Sequence, residues 1–239
     1  MNMLTHEEEA RYQRQLIIPG FGADGQLRLK KAKIIVIGAG GLGSPVLMYL
    51  AAAGVGRIGI VDCDEVSTSN LQRQTLYTSG DVTKSKADTA AGRLNLMNPH
   101  VEVTAYPVRF TAENAASLLA GYDIAVDCSD NYSTRYILSD ATIRAGIPMV
   151  YGAVREFMGQ VSVFNYRGGP SYRDLYPEEI HQASGEKPGP PGVMGPLPGI
   201  IGSIQACEVI KMITGAGDVL SGRLLQADLI NLRIDIISL

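Results

Sequence analysis

Residues 33–37 (Lys-Ile-Ile-Val-Ile) run straight into Gly38-Ala39-Gly40-Gly41-Leu42-Gly43. A short, almost continuous β-branched run reads as a strand buried on both faces of a parallel sheet. Leu42, Val46, Leu47, Leu50 and Ala51 then recur at helical spacing, and Gly54 is placed to end that helix. Residues 57–61 form the next strand, which ends at Asp62. A Gly-x-Gly-x-x-Gly turn in this strand–helix–strand context is a nucleotide fingerprint. Its first Gly permits the tight turn, the second lets phosphate approach the backbone, and the third lets helix and strand pack closely. The helix N-terminus offers free N–H groups and partial positive charge to phosphate. Asp62 is placed to accept hydrogen bonds from ribose hydroxyls. Gly38, Gly40, Gly41, Gly43 and Asp62 are therefore candidate residues for binding an adenine nucleotide.

The same alternation continues. Helices are expected at 84–97, 111–120 and 133–145, with strands at 101–108, 122–127 and 147–151. Before the glycine turn, Thr5-x-x-Glu8 predicts a capped first helix carrying Arg11 and Arg14 on one face, and a second helix covers 25–31. After residue 152 the texture changes. Residues 160–166 read as a strand, 167–199 as a Gly/Pro-rich segment without periodicity, 200–213 as an apolar helix, and 223–237 as strands. The expected fold is α/β and Rossmann-like: a mainly parallel sheet in the first half, continuing into a mixed sheet with antiparallel strands, with helices on both faces. One domain is expected over 1–239, with its nucleotide-binding part at about 30–150 and the crossover and C-terminal strands at about 151–239.

Composition excludes several classes. With 21 Lys and Arg against 24 Asp and Glu the net charge is −3, a poor match to a general nucleic-acid or anionic-membrane binder. Three scattered cysteines, Cys63, Cys128 and Cys207, form no Cys-x-x-Cys, which excludes a disulfide scaffold and a cysteine-built zinc finger. Packing is the expected role of all three. The polar, acidic N-terminus is no signal peptide, and the apolar runs are broken short of the ~20 residues of a membrane span. A cytoplasmic location is expected.

The segment after Asp62 narrows the nucleotide. It runs Asp64-Glu65-Val66-Ser67-Thr68-Ser69-Asn70-Leu71-Gln72-Arg73-Gln74, and Lys86 follows near the start of the next helix. An NAD enzyme has no obvious need for an Asn, Arg and Gln cluster behind the ribose acid, whereas an enzyme stabilising charge on a reacting phosphate does. Asp130 and Asn131 follow a strand end at Asp127-Cys128-Ser129, where ligands bind in open α/β folds.

Together these motifs resemble one family. They are Arg11-Tyr12-x-Arg14-Gln15, the glycine turn, Asp62-x-Asp64, Ser69-Asn70-Leu71-x-Arg73-Gln74, Lys84-x-Lys86, Asp127-Cys128-x-Asp130-Asn131, Gly192-Val193-Met194-Gly195-Pro196-Leu197-x-Gly199 and Gly202-Ser203-x-Gln205-Ala206-x-Glu208. The chain looks like the bacterial relatives of ubiquitin-activating enzymes, the MoeB, ThiF and HesA adenylyltransferases of sulfur carriers, over roughly residues 5 to 235. That resemblance implies ATP-dependent adenylation of the Gly-Gly terminus of a small β-grasp sulfur-carrier protein, for thiamine or molybdopterin synthesis. It implies that Asp62 holds the ribose, Arg73 and Lys86 the phosphates with help from Asn70, and Asp130 a Mg²⁺ ion. Asp64, Gln74 and Asn131 join the nucleotide-binding set. Arg14 would enter from the other subunit of a homodimer, and the 167–199 crossover would guide the carrier tail.

The chain also departs from that family. The segment that holds a first Cys-x-x-Cys zinc pair in many relatives reads Pro170-Ser171-Tyr172-Arg173-Asp174-Leu175, and no second pair precedes Leu239. No structural zinc is expected. A cysteine that links some relatives to their carrier is replaced by Pro188. Adenylation alone is therefore expected, with a separate sulfur donor. The competing readings are an NAD(P)-dependent oxidoreductase, a catalytically inactive partner-binding scaffold, and adenylation of a tRNA base.

Overall fold

The computed structural model describes residues 3–177 and 192–239. Strands β1 (Lys33–Ile37), β2 (Arg57–Val61), β3 (Glu102–Tyr106), β4 (Ile124–Asp127) and β5 (Met149–Arg155) pair in parallel. The β6 (Met158–Phe164), β7 (Arg223–Asp228) and β8 (Arg233–Ser238) strands extend the sheet antiparallel. The order is β3-β2-β1-β4-β5-β6-β7-β8. Helices α1 (His6–Leu16), α2 (Gly22–Lys31), α3 (Gly43–Ala53), α4 (Lys86–Met97), α5 (Ala115–Leu119), α6 (Tyr132–Ala145), α7 (Tyr172–Leu175) and α8 (Pro196–Thr214) surround it. This is the expected Rossmann-like mixed sheet.

The period-2 alternation of β1 explains why both faces are covered. Ile34 and Val36 enter a core with α3, α4 and α8, while Ile35 and Ile37 enter a second core with α5, α6 and α7. The α1 capping box is present: Glu8 N donates to Thr5 Oγ1 at 3.2 Å, and Thr5 N to Glu8 Oε2 at 2.7 Å.

Three expectations need correction. The segment 167–199 is not wholly irregular: it contains α7, and α8 starts at Pro196 rather than residue 200. Prolines fit the first helical turn, whose N–H groups have no partner within the helix. The helix expected over 111–120 is confined to Ala115–Leu119, because the Asn114 side chain accepts the Thr111 N–H at 2.9 Å and competes with helical bonding. The strand expected over 147–151 runs on to Arg155, held by its hairpin with β6. Among the described residues α8 alone is long and apolar enough to cross a membrane. Here it packs on α3, β5 and β6, with Leu197, Ile201 and Val209 fully buried.

Candidate active site at the carboxyl edge of the sheet

A cleft of about 240 Å³ opens above the carboxyl ends of the parallel strands. It lies where β1 has β2 on one side and β4 on the other, the switch point at which open α/β sheets bind ligands. Gly38 has φ 99°, and a Cβ there would lie 2.5 Å from the Cys128 carbonyl oxygen. A Cβ on Gly43 would collide with the Gly38 carbonyl. The first and third glycines are thus required by close approach, and α3 begins directly above β1. Gly40 lies against the Gln74 side chain, and Gly41 against Pro198 at the start of α8.

Asp62 does more than wait for a ribose. Its Oδ2 accepts the Ala39 N–H at 2.7 Å, and its Oδ1 the Asp64 N–H at 2.8 Å. Burial pushes its carboxyl above the ordinary carboxylate range, against the pull of those two amides. On the other side the Tyr77 hydroxyl donates to the Ala39 carbonyl at 2.8 Å. Tyr77 is a buried residue that sequence reasoning missed; the apolar Leu76-Tyr77 pair within a largely polar loop was the available signal.

Lys86 opens α4 behind the Ser85 N-cap, and only 5% of it is exposed. Its ammonium reaches the Asp64 Oδ2 at 2.9 Å. Burial tends to raise the Asp64 pKa, but Lys86, helped by the Cys63 thiol and Arg109, holds the carboxyl low. Arg73, half-buried, donates to the Ser69 carbonyl at 3.1 Å and borders the cleft beside Gln74. Asp130 and Asn131 are exposed at the opposite wall, and Asn131 caps α6 by accepting the Thr134 N–H at 2.9 Å. An exposed carboxylate bordering this cleft suits Mg²⁺, which takes one or two carboxylates together with water and phosphate oxygens.

Three expected residues do not line the cleft, and one of them, Gly43, instead packs against the Gly38 carbonyl. The Asn70 carbonyl accepts the N–H groups of Arg73 (3.1 Å) and Gln74 (3.0 Å), so it shapes the turn that presents them. Arg14 is exposed on α1, which is tied to the far ends of α3 and α4: Gln15 donates to the Ala53 carbonyl and Arg11 to that of Met97. Those helices begin at the carboxyl edge and end at the amino edge, so Arg14 lies at the opposite end of the layer from this cleft. Other lining residues escaped sequence reasoning, among them Arg135 on α6 and Val108, Arg109 and Phe110, which follow β3. No local motif marks them.

Cysteine placement is a further correction. Cys128 is buried, but Cys63 and Cys207 are exposed, so packing accounts for only one of the three. Cys63 borders the cleft. Ser171 and Asp174, at the zinc-pair positions, satisfy each other instead: the Ser171 N–H and hydroxyl both donate to Asp174 Oδ2, at 2.7 and 2.8 Å, and cap α7. That pair does not fit a zinc site. Pro188 and the rest of residues 178–191 of the crossover lie outside the described residues.

The ThiF family model matches residues 12–239. The chain belongs to the ThiF family. This ThiF-family chain is 49% identical over 229 residues to a sulfur carrier protein adenylyltransferase of Thermus thermophilus, covering 94% of the chain and 84% of that protein. It is 46% identical to adenylyltransferase and sulfurtransferase MOCS3 of Drosophila yakuba over 94% of the chain, and spans only 50% of the length of that relative. Its fold matches the crystal structure of E. coli MccB with ATP at a TM-score of 0.82, with 22% identity, covering 98% of this chain and 72% of that one.

Proposed function

We propose that this chain adenylates the C-terminal Gly-Gly carboxylate of a small ubiquitin-like sulfur-carrier protein, consuming ATP and releasing pyrophosphate. The observation that carries the reading is convergence: the glycine turn, Asp62, Arg73, Lys86 and Asp130 meet in one cleft at the switch point of the sheet. Its support from kinship is the adenylyltransferase name borne by the Thermus thermophilus and MOCS3 relatives.

The chemistry follows from the placement. A carboxylate oxygen of the carrier attacks the α-phosphorus. The new acyl–phosphate bond forms as the bond to the bridging oxygen breaks, and pyrophosphate leaves with the electron pair. Such a displacement depends on positioning and on charge neutralisation. The turn amides and the α3 N-terminus face the phosphates. Arg73 and Lys86 supply the positive charge, with Lys86 pre-oriented by Asp64. Mg²⁺ held through Asp130 would add charge neutralisation when bound.

The enzyme acts as a homodimer in which Arg14 enters the partner's cleft. Its distance from the cleft of its own chain supports this trans arrangement. With proline at position 188 a carrier-linked cysteine is dispensable, and a separate donor brings sulfur to the acyl-adenylate in the cytoplasm, for thiamine or molybdopterin cofactor synthesis. Carrier-dependent ATP–pyrophosphate exchange against a panel of Gly-Gly-ending carriers tests the reading. Exchange with at least one carrier is expected. Tight ATP binding without exchange on any carrier would favour a scaffold instead.

A further inference from the structure

Arg135 lies on α6 with only 7% of its surface exposed, yet it borders the nucleotide cleft. Beneath it Asp127 is fully buried at the end of β4. The two charges face each other, with Arg135 Nε 3.5 Å from Asp127 Oδ2, and neither atom makes a hydrogen bond. A buried ion pair contributes little net stability even when its hydrogen bonds are complete. This one leaves two polar atoms unsatisfied, which adds a cost of its own.

What the pair does hold is the residue before Asp130. Ser129 N and Ser129 Oγ both donate to Asp127 Oδ1, at 3.0 and 2.6 Å, and the Ser129 carbonyl accepts from Arg135 Nη2 at 3.2 Å. Every polar group of Ser129 is therefore tied to one member of the pair. Gln205, reaching from α8, fixes the start of the same segment by donating to the Asp127 carbonyl at 2.7 Å. Asp130 itself is exposed, and among the described residues its one side-chain hydrogen bond is from the Asn131 amide at a long 3.4 Å. Its position is set by the backbone on either side, Ser129 before it and the Asn131 cap of α6 after it, and Ser129 is the side that the Asp127–Arg135 pair holds.

We infer that Arg135 is a positioning residue that, through the Asp127–Ser129 clamp, fixes the Asp130 carboxylate for the metal-bound form of ATP. The inference rests on the nucleotide reading proposed above. An arginine suits the task because its rigid planar fork spans the Asp127 carboxylate and the Ser129 carbonyl at once, whereas a lysine offers one flexible point charge.

Binding of ATP to the full chain, measured by calorimetry across a magnesium titration and again in EDTA, tests it. Arg135→Lys should raise the magnesium concentration for half-maximal ATP binding by about tenfold or more, the scale on which small misplacements at a site are felt. Affinity in EDTA should stay within about twofold. Asp130→Asn should show the same signature, and the double variant should lose no more than either alone, as expected for residues acting through one contact. A magnesium requirement within about twofold of wild type, or an equal loss in EDTA, would overturn the inference. Should Arg135→Lys not fold, Arg135→Met combined with Asp127→Asn removes both charges together, a change that buried pairs often tolerate. The same magnesium shift is then expected, and failure of this variant to fold also overturns the inference, since the pair would then serve stability. Wild-type protein that binds no magnesium ATP would sink the nucleotide reading itself, a separate result.

Discussion

The Asp62 carboxylate accepts the Ala39 amide at 2.7 Å, so the acid that follows β2 also closes the glycine turn after β1. One side chain thereby sets the turn and stands at its edge for a ribose. Asp62→Asn keeps the shape but leaves one oxygen for two backbone donors, so one N–H loses its partner. A lost hydrogen bond to a charged group costs about 1.5–3 kcal/mol. ATP affinity should fall by about tenfold or more, and urea unfolding should show a loss of similar size. Calorimetry giving an affinity within about twofold of wild type would refute this role.

Tyr77 holds the opposite side of Ala39. Tyr77→Phe keeps the ring among its buried neighbours and removes only the hydroxyl. The Ala39 carbonyl is then left without that donor, at a cost of about 1–2 kcal/mol. A smaller fall in ATP affinity than for Asp62→Asn is expected, because Tyr77 makes no contact with the cleft. Denaturant midpoints and calorimetry on the same samples separate the two effects. An unchanged midpoint would show that water replaces the hydroxyl without penalty.

Much of this was legible in the sequence, for a physical reason. The strand–turn–helix–acid unit is local: Gly43 is required by the Gly38 carbonyl and Asp62 bonds to Ala39 within one stretch of chain, although Gly38 also meets the Cys128 carbonyl from the distant end of β4. The pairing direction of β6, β7 and β8 rests on contacts made far along the chain, whereas strands near 160–166 and 223–237 were legible from pattern. Tyr77, Arg135 and the lining residues Val108, Arg109 and Phe110 were not. Tyr77 and the residues after β3 meet distant parts of the chain, and Arg135 meets Asp127 and Ser129 only because α6 turns back over the end of β4, which local spacing does not record. Arg14 shows the converse: its motif is plain, but it stands at the far end of the layer from the cleft of its own chain.

The loop that presents Arg73 and Gln74 is stapled at its far side by Asp81. Its carboxyl accepts from the Thr78 N–H and hydroxyl, both at 2.8 Å, and pairs with Lys84 and Arg93. The Thr78 backbone bond first, then the Thr78 hydroxyl and the two cations, lower its pKa from 3.8 to about 2. A lowered carboxyl favours the folded state when ionised. Its contribution is thus present above the unfolded value of 3.8 and is lost as pH falls towards about 2. The melting temperatures of wild type and Asp81→Asn should differ by a constant amount from neutral pH down to about 5, then converge as the pH falls further. A gap that persists unchanged at the acid end would contradict the staple.

The last prediction concerns the thiols. Burial raises the Cys128 pKa well above its ordinary value, with the Asp127 charge adding to it. The Cys63 pKa is raised by partial burial and by the neighbouring Asp64 carboxylate. Both are therefore protonated at neutral pH, and the thiol is a poor nucleophile compared with the thiolate. Cys207 sits on α8, away from the cleft. Adenylation forms a bond from carrier oxygen to phosphorus and needs no enzyme sulfur. A variant carrying Cys63→Ser, Cys128→Ala and Cys207→Ser should keep carrier-dependent ATP–pyrophosphate exchange within about twofold of wild type. Its stability should drop by about 1 kcal/mol, from the sulfur removed at the buried Cys128 position. Loss of exchange in a variant whose circular dichroism and melting show an intact fold would establish a thiol in the reaction and defeat the proposal of adenylation without one.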